Sequence, residues 1–188
     1  MRTLCIGYLG ADWWGSDARA MAAELRRRGH LVLERNYEDH YPRMWRHPWL
    51  RLTRRILRPA TARDYNDAVA ELIEVRGMDL LLVFKGMLLA RDTLARFKAK
   101  RIPAYCFYPD VSLQDHGSNI IKCLPLYDCV FTSKSYHLED PTLKALSTEL
   151  HFAPHGFDPE VHRPVMSGGG LESYLITTGW KSNTSWLL

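Results

Sequence analysis

The sequence predicts an α/β fold: a Rossmann-like open, mostly parallel sheet with helices on both faces. Three observations point to it. Short apolar runs recur at Leu4–Leu9, Leu31–Leu33, Asp79–Phe84, Pro103–Tyr108, Asp128–Thr132 and Leu150–Ala153. Segments of helical periodicity separate them, with no internal repeat. The run DLLLVF at 79–84 is continuously apolar, as a strand covered on both faces must be.

Each element has its own justification. Leu4–Leu9 is the opening strand and Gly10–Gly15 (GADWWG) the loop after it, with Ser16 placed to cap a helix. In that helix Ala18, Met21, Ala22 and Leu25 share one face, and Gly29 stops it. Leu31–Leu33 completes a strand–helix–strand unit. Arginines interleave with Trp45, Trp49, Leu50, Leu52, Ile56 and Leu57 over 41–60; Thr61 then starts a new helix, with Asp64 as its capping-box partner. That helix runs toward Gly77 and the third strand, Asp79–Phe84. Ala90–Lys100 reads as a helix, Pro103–Tyr108 as the fourth strand, and Ile120–Leu124 as a short helix. Asp128–Thr132 is the fifth strand, Ser135–Leu146 a helix that Pro141 threatens to break, and Leu150–Ala153 the sixth strand.

Composition narrows the function classes. The chain has 188 residues, 46% hydrophobic and 24% charged, with a net charge of +4. That suits one soluble domain with a short extension. Cys5, Cys106, Cys123 and Cys129 sit at irregular spacings inside apolar runs. They read as buried free thiols in a reducing, cytoplasmic compartment, with neither disulfide nor metal spacing. No apolar run reaches the roughly 18 residues of a membrane span. Between Asp39 and Asp64 there is no acid but seven arginines, of which Arg51, Arg54, Arg55 and Arg58 line one helical face. That face fits peripheral contact with an anionic membrane, or a solvated face whose stems cover apolar surface. No nucleic-acid-binding signature accompanies it.

In open parallel sheets, ligands bind outside the carboxyl ends of the strands. The loops that break the apolar pattern fall at those ends. Gly10, Gly15 and Ser16 precede a helix N-terminus and fit a phosphate, although the bulky Trp13–Trp14 pair hinders close approach. The other reading is a capped turn with Trp stacked on the domain edge or on a sugar ring. Lys85 and Lys134 each follow a strand and can meet a phosphate or carboxylate, or simply water. Asp110, Asp115 and His116 form the best catalytic constellation, a general base with a carboxylate orienting the imidazole. Their alternative is a turn whose acids cap backbone groups. No nucleophile elbow, P-loop or zinc-protease motif is present.

The segments IGYLGADWWGSDARAMAAELRRRGH, LLLVFKGMLL, AYCFYPDVSLQDHG, LPLYDCVFTSKSYH and PHGFDPEVHRP, spread over residues 3–165, resemble the CgeB-like (spore-maturation-protein-type) glycosyltransferases. That resemblance implies the N-terminal, acceptor-side half of a GT-B fold, with residues 1–164 as a Rossmann-like domain. Residues 165–188 would be a linker and the truncated start of a donor-binding domain. It implies transfer from a nucleotide-sugar donor, a co-substrate rather than a bound cofactor, to a glycan or other hydroxyl acceptor. Gly10, Gly15 and Ser16 match the loop approaching the donor phosphates, and Asp110, Asp115 and His116 the acceptor side. His155, Gly156 and Asp158 match the hinge between domains. No metal is implied. This half alone is expected to be inactive in transfer, because alignment of two substrates needs both domains. A non-catalytic glycan- or protein-binding module is the alternative. A flavodoxin- or receiver-like domain lacks support, having neither a hydroxyl-rich first loop nor an acidic pair after strand one.

Overall fold

The structure is a computed structural model, described here over residues 2–40, 50–112, 118–147, 149–156, 158 and 161. The side chains of 50–55 and 118 lie outside that description. Six strands form one sheet: β1 (Cys5–Gly10), β2 (Leu31–Asn36), β3 (Leu80–Phe84), β4 (Ala104–Tyr108), β5 (Cys129–Thr132) and β6 (Leu150–Phe152). Their spatial order is β2-β1-β3-β4-β5-β6, and each neighbouring pair is parallel. Among the described residues five α-helices connect them: α1 (Asp17–Arg27), α2 (Leu50–Glu71), α3 (Arg91–Ala99), α4 (Ser118–Cys123) and α5 (Pro141–Leu146). The fold is the Rossmann-like α/β architecture the sequence predicts.

The winding reverses between β1 and β3. Because parallel crossovers are right-handed, the β1-to-β2 connection puts α1 on one face and the later connections put α2–α5 on the other. The two cores follow this division. Tyr65, Val69, Leu94, Phe97, Ile120 and Leu143 from α2–α5 bury against Leu9, Leu81, Val83 and Cys106. On the opposite face α1 covers Tyr8, Val32, Phe84 and Phe107 with buried Ala18 and Ala22 and half-buried Met21 and Leu25. The second core is therefore smaller, and the half of the sheet beyond Phe107 is thinly covered.

Close packing of α1 explains Gly10. A Cβ there would lie 2.7 Å from the Tyr8 ring and 3.1 Å from Ala18 Cβ. The Tyr8 hydroxyl donates to the Ala18 carbonyl at 2.7 Å, fixing the helix to the strand. Gly29, at φ +85, supplies the left-handed residue that ends α1.

Several boundaries differ from the sequence reading. β2 runs three residues past Leu33, to Asn36, because pairing with Leu9 and Gly10 carries its polar end Glu34–Asn36 into the sheet. The helix expected to begin at Thr61 is continuous with the arginine segment, as α2 passes through Pro59. A proline removes one helical hydrogen bond but leaves those of its neighbours. Thr61 is consequently a buried interior residue, and Asp64 pairs with His40 at 2.5 Å instead of capping. Arg58 is exposed beside exposed Ile56 and Leu57, whereas Arg51, Arg54 and Arg55 lie outside the described side chains. The Ser135–Leu146 helix is two pieces, a 3-10 turn over Ser135–Glu139 and then α5. Pro141 starts α5 rather than breaking it, and the Asp140 side chain accepts from Thr142 and Leu143 as a true N-cap. Residues 165–188 lie outside the described residues.

Asn66 of α2 pins the loop after β3. Its Nδ2 donates to Leu88 O at 2.8 Å and Ala62 O at 2.6 Å, while Oδ1 accepts from Ala90 N at 2.8 Å. Ala90 is the N-cap of α3 and has no capping side chain of its own. Asn66→Ala is expected to lower stability by about 1–3 kcal/mol, since two half-buried backbone groups lose their partner. Chemical denaturation measures it.

Candidate functional site at the carboxyl edge

The carboxyl ends of β1–β5 bring together the five connections that follow them and the exit from β6. Behind the crevice between β1 and β3 lies the reversal of winding, where open parallel sheets present ligand sites. Lys85 and Gly86 follow β3, Asp110 follows β4, and Ser133 and Lys134 follow β5.

Lys85 occupies an unusual backbone position. It has φ 67, and Gly86 N–H donates to Phe84 O at 2.9 Å, closing a γ-turn around it. A non-glycine residue there carries strain, and such strain concentrates at functional sites. The turn aims Lys85 Nζ at Asp110 Oδ2, 2.9 Å away, with both side chains largely shielded from solvent. The structure brings Lys85 and Asp110, which the sequence suggested for separate roles, into contact.

The Asp110 loop is fastened from β5 and the turn after it. Ser133 Oγ donates to Pro109 O at 2.9 Å, and Tyr136 OH to Val111 O at 3.2 Å. Buried His137 bridges the same loop. Lys134 N donates to Thr132 Oγ1, whose hydroxyl then faces His137 Nδ1 at 2.7 Å, leaving Nε2–H to donate to Val111 O at 3.0 Å. Because a backbone carbonyl only accepts, the Nε2 that meets Val111 O carries a proton. Tyr108 OH donates to Ser112 O at 2.5 Å. Lys134 contributes its backbone to this network and its half-buried side chain to the edge. Asp115 and His116 lie outside the described residues.

Around the first loop the charge is negative. Gly15 has φ +81 and turns the chain into α1. Ser16 stands at the N-cap, buried, but its hydroxyl makes no capping bond; the helix instead carries Asp17 in its first turn. His155 Nε2 lies 3.2 Å from Asp17, and Arg19 sits 3.8 Å from Asp12 while stacking over Trp14. Trp13 and Trp14 are exposed.

Glu38 was not singled out from sequence. It lies in a 3-10 turn, Tyr37–His40, directly after β2. Burial pushes its carboxyl above the ordinary range; a side-chain bond from Tyr37 and the Asp12 backbone N–H oppose this, and the Asp39 and Asp12 charges reinforce it. Beside it, Asn36 pairs with Gly10 and keeps a buried Oδ1 with no hydrogen-bond partner. The signal was present in the sequence as an acid after a strand, but ending β2 at Leu33 moved Glu38 away from the edge.

The segment leaving β6 crosses to α1. His155 stacks on Phe107, 6.2 Å between ring centres, and its ion pair reaches Asp17. Together they wall one end of a groove of about 770 Å³ along α1, floored by Phe84 and Phe107 and sided by Met21, Leu25 and Ala153. Gly156 and the half-buried Asp158 line its rim. No thiol offers a nucleophile near this edge: burial pushes Cys106 up to about 12 and Cys123 up to about 11.

No family model matches the chain, and no curated protein matches it. Among solved structures it is similar to Phytolacca americana UGT2, in the complex with UDP-2-fluoro-glucose and pterostilbene. The identity is 12% and the TM-score 0.47; the match covers 84% of this chain and 55% of that one. The chain therefore spans about 55% of the length of that protein, and the likeness is one of chain trace.

Two measurements probe the site. At an ordinary position glycine is the less stable choice, but at a positive φ a side chain costs about 1–2 kcal/mol. Lys85→Gly is therefore expected to exceed Lys85→Met in stability by about 1 kcal/mol, both having lost the charge; denaturant midpoints decide it. Burial makes the protonated form of Glu38 more favourable in the fold than in the unfolded chain. Its stabilising contribution is present below the ordinary carboxylate pKa and lost as pH rises through the raised value. Glu38→Gln should match the parent at pH 4 and exceed it at pH 7, read as the gap between melting temperatures.

Proposed function

We propose that the chain is the acceptor-side domain of a GT-B-type glycosyltransferase. In this reading it holds a hydroxyl-bearing acceptor while a second Rossmann-like domain supplies the nucleotide-sugar donor. The resemblance of its motifs to those of CgeB-like glycosyltransferases suggests the family, and the charge around the first loop suggests the side. Asp12, Asp17 and Glu38 gather at the N-terminus of α1, where an anionic phosphate would be favoured only if the helix end were bare. Carboxylates, an unpartnered amide oxygen and two exposed tryptophans suit a neutral polyhydroxyl ligand instead. That concentration of acceptors, which Arg19 beside Asp12 only partly offsets, is the observation that carries the reading.

The roles follow from the chemistry. Asp110, held by Lys85, accepts a hydrogen bond from an acceptor hydroxyl and sets its direction. Asp115 and His116 are the candidates for the base that removes that proton as the oxygen–anomeric carbon bond forms and the nucleoside diphosphate departs. Gly10, Gly15 and Ser16 shape the loop beneath the acceptor, and His155–Asp158 carries the chain toward the donor domain.

Titration of the 188-residue chain with mono- and oligosaccharides, polyols and phenols, followed by tryptophan fluorescence, tests this. At least one class should bind, with affinity falling roughly tenfold in Asp110→Asn, where a charge-assisted bond is lost. Uridine diphosphate and inorganic phosphate should leave the signal unchanged. Binding of the phosphates alone, or no binding by any hydroxyl compound, would overturn the acceptor assignment. Sugar transfer by this chain without a partner domain would overturn the division of labour.

A further inference from the structure

At the other end of the sheet, away from the cleft, the first residues of β5 and β6 gather three different metal-ligating groups. Cys129 Sγ, a carboxylate oxygen of Glu149 and a ring nitrogen of His151 all lie within 4.8 Å of one another. Their convergence is a consequence of register. In the parallel β5–β6 pair Val130 stands opposite Leu150 and Phe131 opposite His151, and Val130 N–H donates to Glu149 O at 2.9 Å. Side chains alternate along a strand, so Cys129, Glu149 and His151 project from one face. The face is the one that α1 leaves thinly covered.

We propose that Cys129, Glu149 and His151 form a transition-metal site of the zinc class. The donor set is one thiolate, one imidazole and one carboxylate, the borderline-soft mixture that Zn²⁺ accepts, with a fourth position open to water. Zinc holds sulfur at about 2.3 Å and nitrogen or oxygen at about 2.0–2.2 Å, so ligand atoms on one ion sit roughly 3.3–3.8 Å apart. His151 Nε2 and Glu149 Oε2 are already 3.6 Å apart. The remaining contraction is about 1 Å, and both side chains have the freedom for it, being 56% and 65% exposed. Cys129 is buried and fixed in the sheet, and the His151 ring is stacked on Phe131 with centres 6.0 Å apart. One ligand is anchored, one is oriented, and one swings in.

Sequence spacing hides this site. Glu149 and His151 are two residues apart, but Cys129 is brought to them only by strand pairing. A bound ion would pin β6, the edge strand, to β5. Since β6 leads directly into the segment that crosses to Asp17, metal binding would stiffen the base of that segment. The inference stands apart from the acceptor assignment, since neither uses a residue of the other.

Titration of the whole chain with Co²⁺ tests it, through the near-ultraviolet thiolate-to-cobalt charge-transfer band. One equivalent is expected to produce the band, which Zn²⁺ should then displace. Cys129→Ser should abolish it, and Cys5→Ser, removing the half-buried thiol, should leave it intact. His151→Ala, an exposed change that spares the core, should weaken Co²⁺ affinity roughly tenfold or more, because outer-shell losses alone reach that size. Excess Zn²⁺ should raise the melting temperature of the parent chain and not of His151→Ala. Absence of the band, its persistence in Cys129→Ser, or unchanged affinity in His151→Ala would overturn the proposal.

Discussion

The reversal of winding between β1 and β3 is the constraint on which the remaining features depend. Right-handed crossovers leave no freedom once the strand order β2-β1-β3-β4-β5-β6 is set. α1 must stand alone on its face and α2–α5 must share the other. A single helix of eleven residues cannot cover six strands. The groove beside α1, its floor of Phe84 and Phe107, and the open side chains of β5 and β6 are all consequences of that arithmetic. The same reversal parts the loops after β1 and β3, which makes the crevice. Asn66 then ties α2 to the far side of the Lys85 loop, so the larger core braces the edge that the smaller core leaves open.

Charge is divided along that edge rather than mixed. Near α1 Asp12, Asp17 and Glu38 outnumber Arg19, which stands beside Asp12, and the helix end is already occupied by its own first-turn acid. Toward β3 and β5 come Lys85 and Lys134, with Lys85 neutralised by Asp110. A ligand lying across the edge meets acceptors at one end and a paired, directed carboxylate at the other. The strained turn at Lys85 makes sense in that setting: it trades backbone comfort for the one direction from which the ammonium reaches Asp110 without occupying the crevice.

Much of the fold was legible because buried parallel strands and an amphipathic α1 leave direct signatures in the sequence. Five of the six apolar runs coincide with strands to within about a residue. β2 was the exception, since pairing with β1 extends it over Glu34–Asn36, which no apolar pattern marks. That single shortening concealed Glu38. Thr61 and Asp64 imitate a helix start, but the partners that decide the matter are distant: Thr61 is buried and Asp64 is drawn to His40. Lys85 and Asp110 were each legible as residues that follow a strand, but their pairing with one another was not. The cluster of Cys129, Glu149 and His151 was not, because adjacency across strands is a property of register and has no counterpart in spacing along the chain.

The brevity of β6 has its own consequence. An open sheet ends in a row of free backbone donors and acceptors, an invitation to further strands from other chains. β6 offers only three residues of it, with His151 and Phe152 facing solvent. At the opposite margin β2 carries Glu34 and Arg35, engaged by Arg26 and Glu71. Both borders of the sheet are thus poor templates for recruiting a neighbour, one by shortness and one by charge. The molecule can leave the α1 side thinly covered without its strands polymerising edge to edge.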